Sequence, residues 1–316
     1  MIASRPRPGC QARGRPPAAL ILALGLLLSL TGCPGGGDDQ KKGRLPIPPP
    51  LGPGPVGFRG TGLPNGTLYV AAGNEGSADL YRAKGAVDRA QRLTGGARIS
   101  LMSGGRRSLV IAWAPDGGPD RVSAADLTGR RRPLPGRTLD TAGQAPEVSA
   151  RGLVAYTQPQ FTDRNEDGGT RVLVRSLRGG PARVSFRSST SDLNVGWTSA
   201  GELMVQPIGT NEIVVDPAGP RRRTIDVRLS AVDSFRTSSR GDTYALGTRE
   251  EVAVIEAGGR QLVFKTSWAP VAWSPDGSGM LALQGGRLGV MSPTTGRVRE
   301  VARVRGGTIA DAAWLE

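Results

Sequence analysis

Val271-Ala-Trp-Ser-Pro-Asp-Gly277 carries an aromatic residue followed, a few positions on, by a glycine turn. The same order recurs at Leu101-Met-Ser-Gly-Gly105, Val148-Ser-Ala-Arg-Gly152, Trp197-Thr-Ser-Ala-Gly201 and Phe235-Arg-Thr-Ser-Ser-Arg-Gly241, and Trp314 stands at the same phase near the end of the chain. Successive anchors lie 47, 49, 38, 38 and 41 residues apart. Self-similarity at such a period identifies a repeat array, and the recurring anchors Trp197, Phe235, Trp273 and Trp314 are expected in its core.

After each glycine come two or three short runs rich in Val, Leu and Tyr, separated by turn residues, which is strand spacing. In the last unit the runs are 279–284, 288–292 and 298–304, divided by Gly285-Gly286 and Thr295-Gly296; in the unit before they are 243–247, 251–255 and 261–265. Four strands in about 40 residues make one propeller blade. No segment sustains a helical period, so the fold is expected to be all-β. Sets of outer strands begin near Leu68, Leu109, Leu153, Leu203, Thr243 and Met280, which predicts a six-bladed β-propeller of four-stranded antiparallel blades over residues 57–316. The final run, 309–314, has no outer strands after it. It is expected to serve as the innermost strand of the first blade, joining the chain ends and removing an exposed sheet edge. Residues 56–66 compete for that place, but their Gly and Pro content makes a poor strand.

Val271-Ala-Trp-Ser-Pro-Asp-Gly277 resembles the signature of the WD40-like (PD40), TolB-type propeller repeat, and Asp79-Leu-Tyr-Arg82 and Leu93-Thr-Gly-Gly96 resemble its later strands. One unit alone carries the full Trp-Ser-Pro-Asp-Gly string. Ala112-Trp-Ala-Pro-Asp-Gly117 mimics it out of phase, after a second strand. The resemblance covers roughly residues 57–316 and implies a fold rather than an activity, because propellers host many unrelated functions.

Ahead of the repeats, Arg5, Arg7, Arg13 and Arg15 precede an apolar run, 18–30, that ends at Thr31-Gly32-Cys33. This is the order of an export signal, and the run is too short to span a bilayer as a helix. Leu30-Thr31-Gly32-Cys33 resembles the bacterial lipobox, which implies cleavage before Cys33 and acylation of its thiol. Residues 1–32 then read as a signal peptide. Residues 33–56, rich in Pro and Gly, read as a tether without enough bulky side chains to fold. Cys10 leaves with the signal, so the mature chain has one acylated cysteine and no disulfide. The expected location is the outer face of the cytoplasmic membrane, or the periplasm or outer membrane of a two-membrane cell.

The chain has 41 Lys and Arg against 27 Asp and Glu, a formal +14. Removing the four signal arginines leaves 37 against 27, or +10. Lysine occurs only at 41, 42, 84 and 265, so the excess is arginine, as a GC-rich genome gives without any ligand. There is no histidine. Ser-His-Asp and Cys-His nucleophilic systems, His general bases and the commonest metal-ligand patterns are therefore excluded, which argues against an enzyme. Sialidase-type Ser-x-Asp-x-Gly-x-x-Trp boxes and Gly-rich phosphate loops are absent, and no cofactor is implied. Aromatic residues at 4% are too few for base stacking, and an exported chain does not meet nucleic acid.

Asp163-Arg-Asn165-Glu-Asp167-Gly168 fits the Asp-x-Asn-x-Asp-Gly start of a calcium loop, with Asp163, Asn165 and Asp167 as ligands, although Val174 stands where the bidentate Glu belongs. The same residues also favour plain tight turns. Asp163 with Glu166 forms a weak candidate carboxylate pair. In a four-stranded meander the first-to-second and third-to-fourth turns share one face. Arg106, Arg107, Arg130, Arg131, Arg132, Arg178, Arg221, Arg222 and Arg223 fall there, whereas Asp116, Asp120 and the 163–167 loop fall on the other. An Arg-rich face suits anionic lipid or an acidic partner. Long connections on a rigid scaffold carry recognition, and those at 137–144, 159–170 and 187–192 put Asp140, Asp163, Arg164, Asn165, Asp167 and Asp192 forward as binding residues. The sequence therefore predicts a membrane-anchored binding or scaffold module for an envelope protein or glycan. The alternative is a carbohydrate-active hydrolase or lyase using carboxylates in the propeller funnel.

Overall fold

The computed structural model describes residues 56–316 except 75–76, 105–107, 115–119, 126, 128–136, 141–142, 162–166, 191, 230–231, 239 and 241–242. Among them the regular elements are strands and one 3-10 turn, Val87–Arg89. The chain enters through β1 (Gly57–Arg59), then runs β2 (Thr67–Asn74), β3 (Ser77–Ala83) and the two-residue β4 (Gln91–Arg92). Next come β5 (Arg98–Gly104), β6 (Leu109–Ala114), β7 (Arg121–Ala124) and β8 (Arg137–Asp140). Three four-stranded antiparallel meanders follow. The first holds β9 (Gln144–Val148), β10 (Leu153–Phe161), β11 (Asp167–Ser176) and β12 (Arg183–Ser188). The second holds β13 (Leu193–Trp197), β14 (Leu203–Pro207), β15 (Glu212–Val215) and β16 (Arg223–Asp226). The third holds β17 (Ser234–Thr237), β18 (Tyr244–Gly247), β19 (Glu251–Ile255) and β20 (Gln261–Lys265).

A further meander, β21 (Ala269–Trp273), β22 (Met280–Gln284), β23 (Arg287–Met291) and β24 (Val298–Arg305), takes β1 onto its outer edge as a fifth strand. β25 (Thr308–Leu315) returns to pair with β2, from Thr67 opposite Leu315 to Gly73 opposite Thr308. That pairing joins the chain ends, as expected for the 309–314 run. Through one parallel bridge, Ala78 to Arg98, the β25-β2-β3 unit, with β4 paired to β3, continues into β5-β6-β7-β8 as an eight-stranded sheet. The first strands form a closed ring: β5 lies against β9, β9 against β13, β13 against β17, β17 against β21, β21 against β25, and β25 against β5.

Second and third strands read as continuous apolar runs because neighbouring sheets cover both of their faces. Leu203 and Val205 of β14 pack with Val172, Val174 and Trp197 on one side, while Met204 between them packs with Phe235, Tyr244 and Leu246 on the other. Fully burying each such side chain contributes about 1.5–3 kcal/mol. Val56, the first described residue, is buried with Leu63, Leu68 and Trp314.

Several expectations need correction. Phe235 and Leu101 are not at the phase of Trp197 and Trp273. Trp197 pairs with Leu203 and Trp273 with Met280, and the residue matching them in β17 is Thr237, opposite Tyr244. Phe235 lies two residues earlier on the same strand face and is still fully buried, whereas half-buried Leu101 yields the core to Met102. The connections expected at 137–144, 159–170 and 187–192 are shorter than drawn. Residues 137–140 pair with β7, Pro159 pairs with Thr170, and Arg187 and Ser188 belong to β12. Pro159, the first residue of the expected 159–170 connection, stays in the strand because the register shifts between it and Phe161, which absorbs the lost donor. As expected, the segment 56–66 does not take the innermost place; its residues 57–59 add an outer edge strand that was not foreseen.

Candidate functional site in the axial channel

Successive residues of a strand point to opposite faces. In β17, Phe235 and Thr237 enter the interface with the neighbouring sheet, which turns Arg236 toward the ring axis. Glu147, one place before Val148 in β9, takes the corresponding position two sheets away. The indole Nε1 of Trp197 donates to the Glu147 carbonyl at 3.1 Å, and that of Trp273 donates to the Arg236 carbonyl at 3.2 Å, so both tryptophans fix the strand carrying the charge. Between them, β13 presents Gly196, where an added Cβ would lie 2.6 Å from both the Phe235 ring and the Thr237 methyl.

Arg236 reaches two carboxylates. Its Nη1 lies 3.9 Å from Glu147 Oε1 and its Nη2 lies 3.6 Å from Asp311 Oδ2, from β25. Its Nε donates to the Val271 carbonyl at 2.7 Å and Nη1 to the Phe235 carbonyl at 2.9 Å. Glu147 Oε2 accepts the Ser103 hydroxyl at 2.7 Å, and Asp311 accepts the backbone N–H groups of Met102 and Ala312, each at 2.8 Å. The cluster thereby ties together β5, β9, β17, β21 and β25. Burial pushes the Glu147 carboxyl up to about 7; Arg236 and the Ser103 hydroxyl oppose that rise and the Asp311 charge adds to it. Burial likewise raises Asp311, against Arg236 and the two backbone donors.

The cluster separates two openings, and Glu147 and Arg236 border both. One is a narrow recess of about 40 Å³ beside Trp197, Trp273 and Trp314. The other is a funnel of about 320 Å³ with Leu101, Ile208 and Pro270 in its wall and Asp192, Asn194 and Asp233 toward its mouth. A preformed recess with a few oriented polar groups is the usual form of a ligand site. Among the described residues no group of three or more His, Cys, Asp or Glu side chains could hold a metal ion, and no helix is long and apolar enough to cross a membrane.

Of the residues put forward from sequence, Asp192 is exposed and lines the funnel. Asp140 stands apart from it and accepts the Tyr156 hydroxyl at 2.8 Å; burial, that bond and the Asp140 charge push the phenol above its usual range. Asp163, Arg164, Asn165 and Glu166 lie outside the described residues, and of Asp167 only the backbone, at the start of β11, is described, so the calcium loop has no geometry here. Cys33, Arg106, Arg107, Asp116, Arg130, Arg131 and Arg132 also lie outside them. Arg178, Arg221 and Arg222 are exposed on third-to-fourth-strand connections, and Arg223, at the start of β16, pairs with Glu202 at 2.9 Å. Asp120, on the second-to-third side, accepts the Gln144 amide at 2.9 Å. The axial trio of Glu147, Arg236 and Asp311 was missed by sequence reasoning. Its one signal was a single charged residue inside each of three innermost strands.

The sequence matches no protein-family model and no curated protein. Solved structures do match. TolB from Acinetobacter baumannii superposes with a TM-score of 0.64 at 18% identity, over 79% of this chain and 67% of that one. The β-propeller domain of Myceliophteria thermophila Cps50 (Swd1) matches with a TM-score of 0.49 at 12% identity, over 81% and 88%. XC5397 from Xanthomonas campestris, described as a gluconolactonase, matches with a TM-score of 0.47 at 15% identity, over 84% and 98%. Antiparallel meanders around a ring of first strands, together with the likeness to TolB, make this chain a β-propeller. The likeness defines the fold alone.

Proposed function

We propose that the chain is an exported, lipid-anchored, six-bladed propeller of the cell envelope that binds a protein or glycan partner through the face around its wide funnel. Six blades follow if the eight-stranded sheet is divided at its single parallel bridge, which leaves one blade for each first strand of the ring. Cys33 would carry the lipid, residues 1–32 would be removed, and residues 33–56 would hold the propeller clear of the membrane. The observation that carries a binding role is the funnel itself: about 320 Å³, preformed, and floored by carboxylates already engaged by Arg236, Ser103 and main-chain N–H groups. Such a floor recognises rather than reacts.

A photo-crosslinking residue at Asp192 should give a discrete adduct in intact envelopes, and the same residue at exposed Arg222 should not. Equal labelling from both positions, or none from Asp192, would overturn the assignment of the face. Cys33→Ser should abolish palmitate labelling and release the protein from the membrane fraction; labelling that survives would sink the anchor.

A second reading, a carbohydrate-acting hydrolase or lyase, draws on Glu147, whose pKa of about 7 suits a general acid. It requires that Glu147→Gln abolish turnover of an envelope polysaccharide while leaving its binding intact.

A further inference from the structure

We propose that the wide funnel binds an aliphatic monocation, an ammonium or guanidinium group on an apolar stem, which lies over Glu147 and Asp311 and takes the place of a proton there. The proposal deepens the binding reading above and rests on that mouth being the recognition face.

Although the whole chain is strongly basic, four carboxylates (Glu147, Asp192, Asp233 and Asp311) and one guanidinium (Arg236) line the funnel among the described residues. Arg236 can neutralise one of the two floor carboxylates. The second negative charge sits where the Glu147 side chain is 12% exposed and that of Asp311 is 1% exposed. An uncompensated charge at such depth is costly, and the site removes it by taking up either a proton or a cation.

The walls supply what an alkyl stem needs. Leu101, Pro146, Val195, Ile208 and Pro270 line the funnel, and Ile208, 38% exposed, is one of three large apolar side chains left to solvent among the described residues. In the same lining, the Ser234 hydroxyl is buried and has no hydrogen-bond partner among the described residues.

Proton and cation compete near neutrality. Glu147 faces Arg236 from β17 and Asp311 from β25; nearer the mouth, Asp233 lies just ahead of β17 and Asp192 just ahead of β13. β5, β10 and β21 bring no charged side chain to the funnel among the described residues, only Ser103 hydrogen-bonding the acid from β5. With Glu147 titrating at about 7, its carboxylate form grows about tenfold between pH 6 and pH 8, and affinity for a monocation follows it.

The same chemistry could come from a free amine or from a Lys or Arg side chain of a polypeptide. Calorimetry on the full chain with n-pentylguanidine, its neutral isostere n-pentylurea and the peptide acetyl-Ala-Lys-Ala-amide separates these. Pentylguanidine should bind about tenfold tighter at pH 8 than at pH 6, and pentylurea should show no such dependence. Glu147→Gln should flatten the profile, and Asp233→Asn at the exposed mouth should weaken binding two- to threefold without flattening it. Tighter binding of the peptide assigns the group to a polypeptide partner, and tighter binding of pentylguanidine assigns it to a free amine. Equal affinity for urea and guanidine, no binding of either cation, or an unchanged profile in Glu147→Gln would overturn the proposal. If Glu147→Gln does not fold, the guanidine–urea comparison on the unaltered protein decides alone. Asp192 crosslinks that persist without cation binding would remove the monocation and leave the binding face standing.

Discussion

Glu147 governs how stability depends on pH. Its folded pKa, about 7, lies above the ordinary value of 4.5, so the folded chain holds a proton that the unfolded chain has released. Stability therefore falls as pH rises from about 4.5 to 7 and levels off above, by at most about 1.4 kcal/mol per pH unit from this group. Asp311 is shifted the same way and adds to the slope from the lower end. Thermal melts should give a lower Tm at pH 8 than at pH 5.5, and Glu147→Gln, which keeps an acceptor for the Ser103 hydroxyl, should narrow that gap by raising Tm at pH 8. Asp276 has the opposite sign. Hydrogen bonds from the Ser274 hydroxyl and the Ser278 N–H and hydroxyl hold it at about 2, so its contribution is present above 3.8 and fades as pH falls through 2. Asp276→Ala should lower Tm slightly at pH 7, in line with about 1 kcal/mol for an exposed turn, and not at pH 2. The turn was legible because its residues are adjacent in sequence. The axial trio was not: positions 147, 236 and 311 meet only because the ring closes, and a lone charge in a short strand gives no local sign of its partner.

The innermost strands do two jobs, facing the axis with one set of side chains and the neighbouring sheet with the other, and this leaves little room for variation. Gly196 is a case in point. Its extended backbone needs no glycine for conformation, but a methyl there would meet Phe235 and Thr237 at 2.6 Å. Gly196→Val should cost about 1–3 kcal/mol through overpacking, read as a lower midpoint in chemical denaturation with an unchanged slope. Strand starts were legible almost to the residue because turn signals bound them: β6, β10, β14 and β22 begin at Leu109, Leu153, Leu203 and Met280. The phase of Phe235 was not, since Phe235 and Thr237 share a strand face and the aromatic residue drew the alignment two places early. β1 escaped for another reason. Gly57-Phe-Arg59 has no strand pattern of its own and is held by the free edge of β24, with Phe58 edge-on to Tyr81 at 4.9 Å between ring centroids.

A propeller ring is only as stable as its closure, and here closure rests on one terminal strand. β25 brings Ile309, Trp314 and Leu315 into the core, 5%, 5% and 2% exposed, and Trp314 Nε1 donates to the Asn65 carbonyl at 3.0 Å. At about 1.5–3 kcal/mol for each large side chain, these three contribute roughly 5–9 kcal/mol, comparable to the whole stability of a typical domain. The same strand carries Asp311, so removing it also leaves Arg236 with Glu147 alone. A chain ending at Gly307 should therefore lose its cooperative thermal transition, whereas a chain beginning at Gly60, which lacks β1 but keeps the ring, should melt cooperatively at a somewhat lower temperature. A synthetic peptide of residues 308–316 added to the shortened chain should restore a transition whose midpoint rises with peptide concentration, because a partner that binds only the folded form stabilises by mass action. Circular dichroism across a peptide titration checks this. A cooperative transition without the peptide would mean that the ring holds itself closed through its sheet interfaces and that the β2–β25 pairing only trims an exposed edge.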